Sequence, residues 1–233
     1  MVALNTIKPF EDDKGNRIIF EGNPIEQNVS VIFRGSGNTL RIDKTARIRK
    51  LSVRFDQDNG FCEIGGNDAT VSYFQGHIRV GIDSRVVIGQ NVSATNPMQI
   101  SAVEGTTVSI GEDVMVAGSV KIRGDDGHPI FDVRTGKRIN FAQDVKIGNH
   151  VWLGLESIIF GGSEIGDGSV VGARSVVTKK FPNNVIVAGQ PAKIIRRNIA
   201  WERPHLSMTN PPYKKTELDV PKSEDYWNIT TDL

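Results

Sequence analysis

Four histidines are the side chains of this chain best suited to take and return a proton near neutral pH, because the imidazole pKa is ordinarily about 6.5. One of them, His128, ends the polar, glycine-rich string GDDGH at residues 124–128. A carboxylate of Asp125 or Asp126 could hold the imidazole N–H and fix its tautomer, but both residues are equally well explained as turn formers beside glycine. We interpret the remaining histidines as packing or surface residues; they are His77, His150 and His205.

A six-residue repeat indicates which elements position these side chains. Ile110, Val116 and Ile122 stand six apart, and Ile147 and Ile165 stand eighteen apart. An aliphatic residue is followed by glycine at Ile88-Gly89, Ile110-Gly111, Ile147-Gly148, Ile165-Gly166 and Val171-Gly172. Six residues make one short strand and one tight turn, and three such units close a coil that buries its aliphatic residues only against its neighbours.

This period predicts an all-β fold, a parallel β-helix of stacked triangular coils. An α-helix is excluded because six is not a helical period and β-branched residues are too dense. An antiparallel sandwich would explain the Val, Ile and Thr content but not the period.

The repeat is interrupted once. After Ile122 the next corner is expected at position 128, but the clean pattern resumes only at Ile147. The residues between are predicted to form a loop inserted into the stack, and long loops on repeat scaffolds often carry function. Because the insert begins at His128, we favour a functional role over a plain surface excursion.

The two ends of the chain depart from the repeat. We expect residues 1–25 to cap the first coil and residues 1–200 to form one β-helix domain. Residues 201–233 contain Pro204, Pro211, Pro212 and Pro221 and lose the repeat. They are predicted to be an irregular extension on the surface or on a neighbouring subunit.

Composition excludes several classes of protein. The formal net charge of the 233 residues is +1, and no basic run is interleaved with aromatics, so nucleic-acid binding is not expected. The single cysteine, Cys62, permits no intrachain disulfide and indicates a reducing compartment. No long apolar run suggests a signal peptide or a membrane span. A soluble, cytoplasmic protein is therefore expected.

Four strings of residues resemble the hexapeptide-repeat acyltransferases. They are GDDGHPI at 124–130, IGNHVWLG at 147–154, IGDGSVVGARSVVTK at 165–179 and VAGQPAKIIRR at 187–197. The resemblance runs from roughly residue 78 to residue 201 and is nearest to the O-acetyltransferases of bacterial capsular polysaccharides and sialic acids. It implies a left-handed β-helix, a homotrimer, and acetyl-CoA as acetyl donor, with no metal.

The resemblance also assigns roles to residues. His128 is implied as the catalytic base, and Trp152 as an outward-facing wall beside the acetyl group or sugar, since indole is too large for the coil interior. Residues 174–200 contain six basic and no acidic side chains, which suits the phosphates of coenzyme A. The predicted donor site comprises Gly154, Gly172, Ala173, Thr178, Lys179, Lys180, Pro191, Lys193, Arg196 and Arg197. The predicted acceptor site comprises Asn96, Asp126 and Arg123.

The sequence thus predicts an enzyme, an O-acetyltransferase acting on a sugar hydroxyl of a bacterial surface polysaccharide, with sialic acid as a candidate sugar. N-acetylation of an amino sugar is the alternative that uses the same donor and base. A non-catalytic β-helix and a zinc enzyme of the carbonic anhydrase kind are ranked lower. The zinc alternative needs three converging histidines.

Overall fold

Stacked triangular coils make up most of the chain. The computed structural model describes residues 1–20, 22, 24–207 and 213–232. The strands in chain order are β1 (Val2–Leu4), β2 (Phe10–Glu11), β3 (Arg17–Phe20), β4 (Ile25–Glu26), β5 (Val29–Phe33), β6 (Thr39–Ile42), β7 (Arg47–Phe55), β8 (Phe61–Ile64), β9 (Phe74–Val80), β10 (Arg85–Ile88), β11 (Ser93–Ala94), β12 (Met98–Ala102), β13 (Thr107–Ile110), β14 (Met115–Val116), β15 (Lys121–Arg123), β16 (Val145–Ile147), β17 (Trp152–Leu153), β18 (Ile158–Phe160), β19 (Glu164–Ile165), β20 (Val170–Val171), β21 (Val176–Val177), β22 (Lys180–Phe181), β23 (Val185–Gly189) and β24 (Ala192–Arg197). One short 3-10 turn spans Glu224–Tyr226.

These strands form three sheets, one for each side of the coil. Sheet 1 joins β1, β5, β7, β9, β12, β15, β18 and β21, with β4 beside β7. Sheet 2 joins β2, β3, β6, β8, β10, β13, β16, β19 and β22, and sheet 3 joins β11, β14, β17, β20, β23 and β24. The chain passes from sheet 1 to sheet 2 to sheet 3, so we name the turns the 1–2, 2–3 and 3–1 corners. In one coil they are residues 103–106, 111–114 and 117–120.

In-register aliphatic residues fill the interior. On sheet 2 a single column runs through Ile42, Ile64, Ile88, Ile110, Ile147 and Ile165 and ends at Phe181. Each of these side chains is at most 2% exposed. Burial of a side chain of this size contributes about 1.5–3 kcal/mol relative to exposure, so the column is a main source of cohesion between coils.

The N-terminal coils are wider than the sequence period predicts. The repeat of eighteen holds between Ile147 and Ile165, whereas Ile100 pairs with Ile122, 22 residues on. The extra residues lie in longer strands, five in β12 against three in β18. Large side chains fill the additional space, and Phe33 stacks on Phe55 with ring centroids 5.0 Å apart.

Antiparallel pairing closes the first coil. Strand β1 runs antiparallel to β5, and β2 and β3 form a hairpin. Phe10 packs on Phe33 with ring centroids 6.0 Å apart, so the N-terminal segment covers the apolar end of the stack.

The insert occupies residues 124–144, at the 1–2 corner between β15 and β16. The sequence predicts an insert that begins at His128 and ends before Ile147. The observed insert begins four residues earlier, because β15 ends at Arg123, and it ends at residue 144, because β16 begins at Val145. The loop folds back on itself through an antiparallel bridge between Phe131 and Arg138. The insert is fastened to the corner by an ion pair between Arg138 and Glu104, with N and O 2.9 Å apart.

The chain after β24 lies along the 2–3 corner of its own β-helix. Asn184 Nδ2 donates to the carbonyl oxygens of Ile199 (2.9 Å) and Tyr226 (2.6 Å). Where it is described, the predicted extension 201–233 contains the 3-10 turn and an isolated bridge between Leu206 and Lys215. Residues 208–212, with Pro211 and Pro212, and residue 233 lie outside the described residues. None of the described helices is long and apolar enough to cross a membrane.

Candidate active site

His128 lies on the exposed stem of the insert. Its backbone carbonyl accepts a hydrogen bond from Asn140 Nδ2 at 2.9 Å, and the same amide group donates to Asp126 Oδ2 at 2.9 Å. Asn140 therefore cross-links the two arms of the loop at the histidine. The side chain of His128 is exposed to solvent, where a substrate can reach it.

The two aspartates before His128 bind groups other than its imidazole. Asp126 takes the hydrogen bond from Asn140 described above. Asp125 is buried, accepts a hydrogen bond from Ser101 Oγ at 2.5 Å and lies 3.3 Å from Arg123 Nη2. In this structure the aspartates fix the shape of the loop, and Asp125 connects the loop to sheet 1.

Trp152 projects outward from β17 on sheet 3. Its side chain is 39% exposed, and its ring lies 6.0 Å from that of Trp201 at a 45° tilt. Trp201 is itself buried against the 2–3 corner and donates from Nε1 to the carbonyl of His150 at 2.8 Å. The exposed indole of Trp152 thus lies beside a buried aromatic residue of the C-terminal extension, Trp201, whose position is fixed by its hydrogen bond.

His150 lies at the centre of the aromatic cluster that contains Trp201. Its ring stacks between Trp201 and Tyr226, with centroids 4.2 and 4.6 Å away. Its Nδ1 lies 2.6 Å from Asp113 Oδ2, and its Nε2 lies 2.9 Å from the carbonyl oxygen of Trp201. Burial acts to lower the pKa of His150, but these hydrogen bonds outweigh it and the pKa is raised. With both nitrogens engaged, His150 is a structural residue.

Arg203 also binds Asp113, a contact that the sequence did not predict. Its Nε lies 2.6 Å from Asp113 Oδ1, and its Nη1 donates to Ser93 Oγ at 2.9 Å. Burial acts to raise the pKa of Asp113, but the hydrogen bonds from His150 and Arg203 hold it below the ordinary value. No period relates residue 203 to residue 113, so the sequence offers no signal for the contact.

The predicted donor residues fall into three groups. Gly154, Gly172 and Ala173 lie together at the 3–1 corner. Thr178 and Lys179 lie at the 1–2 corner and Lys180 on β22, while Pro191, Lys193, Arg196 and Arg197 lie in the β23–β24 hairpin. Gln190 Nε2 donates to the carbonyl of Arg174 at 2.7 Å, which joins the hairpin to the 3–1 corner.

Ion pairs divide the basic stretch further. Arg174 pairs with Glu156 (2.7 Å), Lys180 with Glu164 (3.3 Å) and Arg197 with Asp232 (2.8 Å). The local charge of +6 expected from residues 174–200 is therefore reduced by carboxylates from outside that stretch. Among the residues described, Lys179, Lys193 and Arg196 are the predicted donor-site cations without such an ion pair.

The two glycines at the 3–1 corner have a packing role. A methyl group on Gly154 would lie 2.4 Å from the carbonyl oxygen of Val171, and one on Gly172 would lie 2.9 Å from Ala188 Cβ. Both positions face the next coil closely, so glycine is required there by the stacking itself. Ala173, beside them, is exposed.

The candidate residues of one chain lie on opposite sides of sheet 1. Arg123 ends β15 of sheet 1 and Asp126 and His128 follow it at the 1–2 corner, whereas Trp152 is on sheet 3. Asn96 lies at the 3–1 corner between β11 and β12. Its side-chain nitrogen would be 3.1 Å from a Cβ placed on Gly118, which is at the same corner of the next coil. Within the described part of the chain, no group of three or more His, Cys, Asp or Glu residues could hold a metal ion.

Comparison with known proteins adds to this geometry. No family model matches the sequence. The polysialic acid O-acetyltransferase of Neisseria meningitidis is 34% identical over 184 residues, which cover 76% of this chain and 82% of that protein. The enzyme of the same name from Escherichia coli O1:K1 / APEC is 38% identical over 57% of this chain and 43% of its own length. The alignments span about half the length of the first three curated relatives, from 43% to 57%.

Solved structures resemble the chain over a longer span. The polySia-specific acetyltransferase NeuO has a TM-score of 0.70 at 36% identity, with 80% of this chain and 89% of that chain covered. The polysialic acid O-acetyltransferase OatWY has a TM-score of 0.66 at 28% identity, with 90% and 98% covered.

Fold and repeat define a β-helix of the hexapeptide type, which confirms the predicted fold class. The chain belongs to the hexapeptide-repeat acetyltransferases, the family that contains these polysialic acid O-acetyltransferases.

Proposed function

We propose that this protein is an acetyl-CoA-dependent O-acetyltransferase that acetylates a sugar hydroxyl of a bacterial capsular polysaccharide, with sialic acid as the favoured sugar. The observation that carries the proposal is the alignment with the meningococcal polysialic acid O-acetyltransferase over most of both chains. The exposed histidine on an inserted loop supplies the chemistry that such a transfer needs.

His128 acts as general base. It takes the proton of the acceptor hydroxyl as that oxygen attacks the thioester carbonyl of the donor. When the intermediate collapses, the new C–O ester bond remains, the C–S bond breaks, and the imidazolium returns the proton to the departing thiolate. The cross-link made by Asn140 at the His128 carbonyl limits movement of the loop during both steps.

Trp152 and the cations serve binding. The exposed indole offers an apolar face to the acetyl group or the sugar ring. Lys179, Lys193 and Arg196 attract the donor phosphates, while Ala173 and the corner beside Gly154 admit the slender pantetheine arm. We further propose that the reaction takes place in the cytoplasm, since the one thiol, Cys62, is buried and unpaired with another cysteine.

The active form is proposed to be a homotrimer. His128 and Trp152 lie at different sides of the triangular coil, so a site that uses both is incomplete in one chain. The insert also exposes an apolar surface, formed by Ile130, Phe131, Val133, Ile139 and Phe141. A neighbouring copy that receives this loop against its sheet 3 would bring the base to the tryptophan.

The decisive experiment replaces the base. His128→Ala is expected to lower kcat/KM for acetyl transfer by about 10²- to 10⁴-fold, because general-base catalysis contributes that much. The Kd for coenzyme A and the melting temperature should stay unchanged. His205→Ala, at an exposed position of the extension, is the matched control and should keep normal turnover.

The product distinguishes the type of acetylation. Mild alkali cleaves an ester and spares an amide, so loss of the acetyl mass after alkali treatment supports O-acetylation. An alkali-stable product would identify N-acetylation of an amino sugar instead.

Near-normal turnover of His128→Ala would contradict the assignment of the base.

A further inference from the structure

A row of arginines crosses the outer face of sheet 1 near the insert. Strand pairing places Arg54 of β7 beside Arg79 of β9, Arg79 beside Ser101 of β12, and Ser101 beside Arg123 of β15. All four point outward, because the residues beside them in their strands are buried in the core; these are Val53, Phe55, Ile78, Val80, Ile100, Ala102 and Ile122. Three strand spacings of about 4.8 Å give the row a length of about 14 Å.

Two carboxylates hold these guanidinium groups in place. Asp56 lies 2.8 Å from Arg54 Nε, 2.8 Å from Arg79 Nε and 3.3 Å from Arg34 Nη1. Asp125 lies 3.3 Å from Arg123 Nη2 and 3.9 Å from Arg79 Nη1. Four guanidinium groups thus share two carboxylates, which leaves a formal excess of two positive charges among these six groups.

The row has unused hydrogen-bond donors. A guanidinium carries five N–H donors in a planar fork that matches a carboxylate. Arg123 Nε is buried and, among the described residues, has no hydrogen-bond partner. A buried donor without a partner costs free energy, so an anion that reached it would be bound favourably.

The arginines border a cleft that leads toward the catalytic loop. The cleft has a volume of about 300 Å³ and is lined by His77, Ile78, Gln99 and Ile100 as well as by the row; the side chains of Ile78 and Ile100 point into the core. At its Arg123 end it meets Asp125, three residues before His128. At its Arg54 end it opens toward the wider N-terminal coils.

We propose that this row, Arg54, Arg79 and Arg123, is a binding track for an acidic polysaccharide, one that carries a carboxylate on successive sugars. The inference rests on the proposed function and specifies the acceptor: a polymer, bound by residues beyond the reacting sugar. Each carboxylate meets a guanidinium fork already fixed by Asp56 or Asp125, so little side-chain entropy is lost on binding.

The position of the row separates binding from chemistry. Arg54 and Arg79 lie on coils that precede β15 and the insert, so they contact sugars distant from the one that reacts. Loss of these contacts weakens the polymer complex but leaves the acetyl-transfer step intact. A single acidic sugar is too short to use them.

The experiment compares Arg54→Gln, Arg79→Gln and the double variant Arg54→Gln/Arg79→Gln with Arg41→Gln, so that each single variant and the control lose one positive charge. Arg41 lies on sheet 2, away from the row, with one exposed ion pair to Glu63 at 3.6 Å, and it controls for the loss of surface charge. Binding of polysialic acid without donor is measured by calorimetry, and KM and kcat are measured with polysialic acid and with monomeric sialic acid. Melting temperatures verify that each variant is folded.

The double variant is expected to raise the Kd and KM for the polymer at least tenfold, with kcat within about twofold and no change for the monomer. Arg79→Lys, which keeps the charge but loses the fork, should fall between wild type and Arg79→Gln. A double variant that behaves like Arg41→Gln, or a neutral polymer bound as tightly as the acidic one, would overturn the track. If wild type binds polymer through these arginines but acetylates no sugar, the track stands and the proposed function fails.

Discussion

An ion pair between the buried imidazole of His150 and the partly exposed carboxylate of Asp113 fastens the C-terminal extension to the 2–3 corner. His150 pairs with Asp113, and Trp201, Arg203 and Tyr226 of the extension pack on or bond to these two residues. The raised pKa of His150 means that the folded state binds the imidazole proton more tightly than the unfolded chain does. The resulting stabilisation is complete below the unfolded pKa of about 6.5 and is lost as pH rises through the folded pKa.

We therefore predict that the melting temperature falls as pH is raised from about 6 toward 9. The direction follows from the raised pKa of His150, because the folded state holds the imidazole proton to a higher pH than the unfolded chain does. Asp113→Asn removes the negative charge that favours the imidazolium, so the variant should be less stable at pH 6 and show a flatter dependence on pH. Equal slopes for wild type and variant would refute the assignment.

Residue by residue, the sequence predicted the motif-borne residues better than their partners. His128 is singled out by its place at the break in the repeat and by the family resemblance, and Trp152 by its size and the same resemblance. Both are exposed, and their roles stay predictions. The contacts of Asp113 with Arg203 and of His150 with Trp201 join residues 90 and 51 positions apart, across a tail that lacks the repeat. Only the fold reveals such contacts, because nothing local encodes them.

At the level of the elements, the corners determine how closely coils stack. Strands β17 and β20 pair in parallel, so the 3–1 corner after β17 lies directly against the one after β20. Gly154 sits at the tightest point, where a Cβ would be 2.7 Å from the Ala173 amide nitrogen. The backbone of one coil fills the space that a side chain of the other would need.

Gly154→Ala is accordingly predicted to destabilise the fold by about 1–3 kcal/mol, since the added methyl forces the coils apart. Thermal unfolding should report it as a melting temperature lower by several degrees. Ala173→Ser, at an exposed position of the same corner, is the control and should shift stability very little. An unchanged melting temperature for Gly154→Ala would show that the corner can open freely.

The same elements show how far the six-residue period predicts the fold. The period, with its aliphatic–glycine pairs, marks β10, β13, β16, β19 and β20, where glycine follows the inward aliphatic residue. It did not predict the wider coils before them, because strands such as β7 and β9 lengthen without any glycine signal and the added volume is filled by Phe33, Phe55 and Phe74. Coil width depends on side-chain volume in the interior, which a period does not encode.

For the whole molecule, the proposed site uses His128 and Trp152, which lie on different sides of the coil, so the proposal makes assembly a condition of activity. The insert presents Phe131 at 55% and Val133 at 97% exposure, apolar surface that a single chain leaves in water. Exposed apolar patches of this kind mark interaction sites. The fixed antiparallel bridge in the loop means that little order has to be gained when a second copy covers it.

Phe131→Ser/Val133→Ser is predicted to convert the proposed trimer into monomers and to abolish acetyl transfer, because the proposed base then has no neighbouring sheet 3 to meet. Light scattering gives the mass in solution. Thermal unfolding and the binding of one coenzyme A per chain check that the monomer is folded. Leu218→Ser, an equally apolar change at a residue 91% exposed in the extension, should leave both trimer and turnover intact. A wild-type monomer with full activity, or a variant that remains trimeric, would contradict the shared site and require His128 to reach its acceptor without a second copy.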